Sequence, residues 1–181
     1  MVRRNLIVIA AVVVVVAVAA AAGFFLLAPS GPREVKLRMM EFGFNGPSGG
    51  PVIRAKVGET IRFVLMNAGG ADHEFMIVKD LDGFKEALHK TVNELKAKGL
   101  DQEAIEKSEE VEMLRHKYAA VELLVDGKRE HNVELERGES VTLTVTFDRP
   151  GTYYYVCAEL ALTFPESHLD RAMYGTIIVE G

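Results

Sequence analysis

Val141-Thr-Leu-Thr-Val-Thr-Phe147 runs through Pro150-Gly151 into Gly151-Thr-Tyr-Tyr-Tyr-Val-Cys157, and these two runs decide the fold. In the first, apolar residues alternate with threonines, the period of two of a strand with one buried and one solvated face. Pro150-Gly151 is a turn signal. In the second run Tyr153, Tyr154 and Tyr155 must point to alternating faces, so at least one enters a core.

The same period recurs upstream. Val35-Lys-Leu-Arg-Met39 and Val52-Ile-Arg-Ala-Lys-Val57 alternate, and Gly58-Glu59 turns the chain into Thr60-Ile-Arg-Phe-Val-Leu-Met66. The loop Asn67-Ala-Gly-Gly-Ala-Asp72 leads to the apolar run His73-Glu-Phe-Met-Ile-Val78. Ala120–Val125, a hairpin signal at Asp126-Gly127, Val133–Leu135 and the turn Arg137-Gly-Glu139 follow, and Tyr174-Gly-Thr-Ile-Ile-Val179 closes the chain. Many short strands punctuated by Gly and Pro predict an all-β class, an antiparallel sandwich over residues 34–181. One segment breaks the pattern, a helical insertion at about 83–118. There Phe84, Leu88, Val92 and Leu95 form a helical stripe, Gly99 is a stop, and Asp101 is an N-cap for a second helix.

The N-terminus points to export. From Leu6 to Leu27 no charge occurs, and about 1.5 Å of rise per residue carries a helix of that length some ~33 Å, enough for a hydrocarbon core of about 30 Å. Residues 1–28 therefore read as a transmembrane helix, with 29–33 a linker. Arg3 and Arg4 put the N-terminus in the cytoplasm and the rest outside, periplasmic or extracellular, in a single-pass cell-membrane protein. A cleaved signal peptide, with Ala19–Ala22 near its cleavage site, is the alternative, although its apolar region usually runs only about 7–15 residues. Beyond the anchor 19 basic side chains face 26 acidic ones. That excess of negative charge disfavours nucleic acid and anionic lipid headgroups, and suits a partner with a basic docking patch.

Export gives the single cysteine its meaning, because Cys157 has no disulfide partner in its own chain. A buried structural thiol is one reading. The other is a metal ligand, since His168 and Met173 follow it and His73 heads an upstream strand. One thiolate, two imidazoles and a weak axial thioether make the donor set of a mononuclear copper centre that cycles between Cu(I) and Cu(II).

The strings around these residues carry a resemblance. Gly58–Asn67 followed by Asp72-His-Glu-Phe-Met-Ile77 resembles the first copper-ligand region of the cupredoxins, the blue (type 1) copper proteins. Gly151–Cys157 is similar to the strand that delivers their cysteine, and His168-Leu-Asp-Arg-Ala-Met173-Tyr-Gly-Thr-Ile-Ile-Val179 to their closing strand. The resemblance implies an eight-stranded Greek-key sandwich that carries single electrons, with one copper ion held by His73, Cys157, His168 and Met173. Two features depart from that family. Ten residues separate Cys157 from His168, more than the usual few, and Phe164 and Pro165 lie among them, placed to cover the metal or dock a partner. Cys157-Ala-Glu-Leu-Ala161 is also similar to the Cys-x-Glu-x-Cys of the binuclear copper domain in cytochrome oxidase subunit II. Ala161 stands where the second cysteine would be, so a thiolate-bridged pair of coppers cannot form.

The expected function is a membrane-tethered electron carrier. Electrons would enter at an exposed edge of His168, and the redox partners would be proteins, membrane respiratory complexes foremost. A subunit of a respiratory oxidase complex and a copper-binding or chaperone module are the alternatives. An enzyme is not expected, because no second His-rich cluster would hold a substrate-binding copper. Glu159 is expected on the surface, and His89, His116 and His131 away from the site as ordinary surface or core histidines. Asn67, Asp72 and Glu74 are the candidates for fixing the ligand histidines.

Overall fold

The computed structural model describes residues 31–161 and 164–181, so the expected membrane anchor lies outside the described residues. The chain order is β1 (Arg33–Met40), β2 (Gly43–Phe44), β3 (Ile53–Lys56), β4 (Thr60–Asn67) and β5 (His73–Val78), then three helices, α1 (Leu81–Ala97), α2 (Gln102–Glu106) and α3 (Glu109–Tyr118). The remaining strands are β6 (Leu123–Val125), β7 (Lys128–Glu130), β8 (Asn132–Leu135), β9 (Ser140–Thr146), β10 (Gly151–Val156) and β11 (Tyr174–Glu180).

They form two sheets, β2-β1-β4-β9-β6-β7 and β3-β11-β10-β5-β8. Alternation decides what faces inward. In β4, Ile61, Phe63 and Leu65 are buried while Arg62 is exposed. These residues pack with Leu37, Leu143 and Val145 against Phe75, Ile77, Tyr153, Tyr155 and Ile177 of the other sheet. Tyr155 is held tightly: its hydroxyl donates to the Pro51 carbonyl at 2.7 Å. Its ring leaves no room for a Cβ at Gly50 or Gly175, which explains glycine at both. At the β6–β7 hairpin Asp126 and Gly127 both take positive φ, 49° and 80°, the backbone that a two-residue hairpin turn requires.

The sandwich is not purely antiparallel as expected. β1 pairs parallel with β4, and β11 parallel with β3. Between β1 and β4 the chain crosses to the other sheet to lay down β3, and so returns in the direction it left. Eleven strands are present among the described residues where the resemblance implied eight. The smallest are β2 with two residues and β6 and β7 with three each.

The insertion comprises three helices rather than two, each capped by an acceptor side chain. Asp80 accepts from the Gly83 N–H, Asp101 from Ala104, and Ser108 from Val111. Such caps satisfy N–H groups that the first turn leaves without partners. Phe84, Leu88, Val92 and Leu95 pack on Met76, Val78, Val156, Ala158 and Leu160, so the insertion covers the outer side of the second sheet. Burying each such side chain contributes about 1.5–3 kcal/mol. All six residues of β5 are consequently buried. A strand covered on both faces reads as a continuous apolar run, as Phe75–Val78 does.

Candidate metal centre

Neighbouring strands deliver the candidate ligands to one end of the second sheet. His73 opens β5, Cys157 follows β10, His168 begins a 3₁₀ turn (His168–Arg171), and Met173 lies between that turn and β11. The backbone stitches these segments together despite the long loop. The Cys157 N–H donates to the Met173 carbonyl at 3.0 Å, the Met173 N–H to His168 at 3.0 Å, and the His168 N–H to Glu159 at 2.7 Å.

Three donors converge. The Nδ1 atoms of His73 and His168 are 3.1 Å apart, and Cys157 Sγ lies 3.7 Å from the first and 3.4 Å from the second. All three side chains are buried, and their donor atoms fall within 4.8 Å of one another. Met173 is fully buried in the cluster that contains Cys157. Burial lowers the imidazole pKa values: His73 falls below its ordinary value, and His168 drops to about 4 through burial first and the neighbouring His73 second. Both rings are therefore neutral donors at physiological pH. Burial pushes the Cys157 thiol up, and the Glu74 N–H, 3.3 Å from Sγ, works against that rise. A bound cation reverses the balance for a coordinating thiol and makes it a thiolate. Two neutral imidazoles and a soft sulfur with a fully buried methionine alongside fit one copper ion.

Three expectations need correction. His168 is only 2 % exposed, so it presents no open edge. Phe42 packs edge-on against it with ring centroids 5.7 Å apart, and Arg171 lies over Phe42. Glu159 is buried rather than on the surface, and its carboxyl is pushed up to about 9 by burial, then by Glu106 and Glu74. His89 is not remote, since its Nε2 lies 2.7 Å from the carboxylate of Asp170, two residues beyond His168. Phe164 packs with the cluster beneath the insertion, and Lys96 lies 4.7 Å from its ring centre, so this part of the loop docks on α1.

Of the expected supporting residues, Asn67 and Glu74 reach the site's framework and Asp72 is exposed. Asn67 Nδ2 donates to the Ala71 and Leu135 carbonyls at 2.8 and 2.9 Å, and its Oδ1 accepts from the Gly69 N–H at 2.9 Å. A Cβ on Gly69 would meet His73 Nε2 at 2.5 Å, so this glycine lets the loop lie directly on the imidazole. The fully buried Glu74 carboxylate pairs with Arg115 Nη2 at 3.0 Å. Arg115, His89 and Phe42 escape sequence reasoning because their contacts bridge distant segments. No spacing rule links His89 to Asp170, 81 positions away.

No protein-family model matches this sequence, and no curated protein matches it. Solved structures do. Auracyanin B is 19 % identical with a TM-score of 0.50, over 85 % of this chain and 94 % of that one. A laccase from Pediococcus acidilactici is 12 % identical with a TM-score of 0.51, over 85 % of this chain but 28 % of its own length. Auracyanin A, a "blue" copper protein from Chloroflexus aurantiacus, is 17 % identical with a TM-score of 0.48, over 83 % of this chain and all of that one. At such identities the likeness concerns architecture alone. Taken with the two packed sheets described above, it gives this chain a cupredoxin-like fold.

Proposed function

We propose that this protein is a mononuclear copper electron carrier, tethered by its N-terminal apolar segment to the outer face of the cytoplasmic membrane. The observation that carries this reading is the buried convergence of His73 Nδ1, His168 Nδ1 and Cys157 Sγ. His73, Cys157 and His168 would hold the ion, with Met173 as a fourth, weaker donor. Bound there, copper supplies a one-electron Cu(II)/Cu(I) couple. The protein's part is to keep its donors where they are in both oxidation states. The backbone bonds among Cys157, Met173, His168 and Glu159 do this, and the shell of buried side chains excludes water. Electrons would be exchanged with partner proteins, and a tether beside membrane respiratory complexes would raise the carrier's local concentration there.

Adding Cu(II) to the purified full chain tests the site. One copper per chain with an intense thiolate-to-Cu(II) visible band is expected, and Cys157→Ser should remove that band. A colourless wild type, or a coloured serine variant, would show the thiolate assignment to be wrong. Alkaline carbonate extraction tests the tether: the chain should stay with the membrane pellet, and its release would remove that part of the proposal.

A further inference from the structure

The helical insertion contacts the metal-site segments through a buried charge pair. On β5 the Glu74 N–H points at Cys157 Sγ, 3.3 Å away, and the Glu74 side chain lies on the opposite side of the strand from the cluster that holds Phe75. There it meets Arg115 of α3, with Nη2 3.0 Å from Oε2. Arg115 is itself buried, and its Nη1 donates to the Glu106 carbonyl at 3.2 Å. Burial works against its charge, but Glu74 and then Glu159 outweigh burial. Glu74 follows His73 directly, and Glu159 accepts the His168 N–H through its carbonyl. The Arg115 guanidinium therefore sits against the carboxylate of the residue that follows His73 in the chain.

We infer that Arg115 is a positioning residue for the copper, acting through Glu74 to set the charge behind the Cys157 thiolate and with it the reduction potential. The inference rests on the copper reading above. Its physical basis is Coulombic. Cu(II) with its ligands carries one more positive charge than Cu(I), so a carboxylate without its counter-charge favours Cu(II), and a guanidinium without its carboxylate favours Cu(I). Inside a protein such charges are weakly screened. The insertion thus serves the sandwich electrostatically as well as by covering a sheet face.

A mutant cycle read by redox titration of the copper-loaded full chain tests this. Glu74→Gln should raise the potential and Arg115→Met should lower it, each by a tenfold change in the Cu(II)/Cu(I) equilibrium, about 59 mV for one electron. The double variant should return close to wild type, and Arg115→Lys should stay there. Should Arg115→Met fail to fold, the rise in Glu74→Gln and the unchanged potential of Arg115→Lys carry the test. Shifts of one sign in both single variants, or a potential indifferent to Glu74→Gln, would overturn the inference while leaving copper binding intact. A wild type without the thiolate band would instead point to failure of the copper reading itself.

Discussion

His89 Nε2 lies 2.7 Å from the Asp170 carboxylate, which fastens helix α1 to the turn that carries His168. Lys85 adds a contact at 3.2 Å, and Asp170 also accepts from the Ser167 N–H at 2.8 Å and its hydroxyl at 3.0 Å. Asp170→Ala removes all four contacts. It should destabilise the metal-free protein by about 2 kcal/mol, mostly from the lost cap. His89→Ala should cost about 0.5–1 kcal/mol, because that histidine is partly exposed and solvent screens it. Urea denaturation of both variants measures the difference, and equal losses would contradict this ranking.

Gly69 touches the other histidine of the site. A methyl group there would stand 2.5 Å from His73 Nε2, so the loop or the ring must move. Gly69→Ala should weaken copper binding at least tenfold, about 1.4 kcal/mol. Competition with a chelator of known affinity reads this directly. Unchanged affinity would mean that the loop yields and the imidazole does not.

Asn67 spans the loop between β4 and β5 with three hydrogen bonds, none of them to the metal ligands. Its replacement by alanine leaves buried backbone groups without partners, at a cost of about 2–3 kcal/mol. The loss should appear in thermal or urea unfolding of the metal-free chain, and restoration by Asn67→Asp should be incomplete because a carboxylate cannot donate to the Ala71 and Leu135 carbonyls.

Acid should destabilise the metal-free protein through His168. The unfolded chain takes up that proton near 6.5, the folded chain only near 4. Between those values the unfolded state binds more protons, so stability falls as pH falls and levels off below about 4. At about 1.36 kcal/mol per pKa unit the loss from this group is roughly 3 kcal/mol. Unfolding midpoints at pH 7, 5 and 4 should show the decline, and His168→Gln should flatten it.

Much of the architecture was legible because strands with one wet face announce themselves. Ser140–Thr146 alternates as its sequence reads, and Asp101 caps a helix where its position predicts. Strand direction left no such trace: nothing in Val35–Met39 or Thr60–Met66 says that the two run parallel. The break at Lys107-Ser108 that divides the second predicted helix is no more legible, since a serine within a charged stretch is an ambiguous cap. At the site, His73, Cys157 and His168 stood out because unusual donors sat at the ends of apolar runs. Arg115 and His89 did not, because on a helix surface a charged residue beneath a sheet looks like one facing water until the sheet is in place. Glu159, in the segment beyond β10, reads as a loop carboxylate facing water until the insertion packs over it.

The full enclosure of β5 has a further consequence. In a strand with one wet face a slip by a single residue turns the apolar side chains to water, and here it would exchange the contents of two dry compartments. Glu74 would take the place of His73, and Phe75 the place now balanced by Arg115. Uptake of a metal ion by this chain therefore doubles as a proofreading signal: only the correctly zipped sheet presents nitrogen rather than carboxylate to the sulfur.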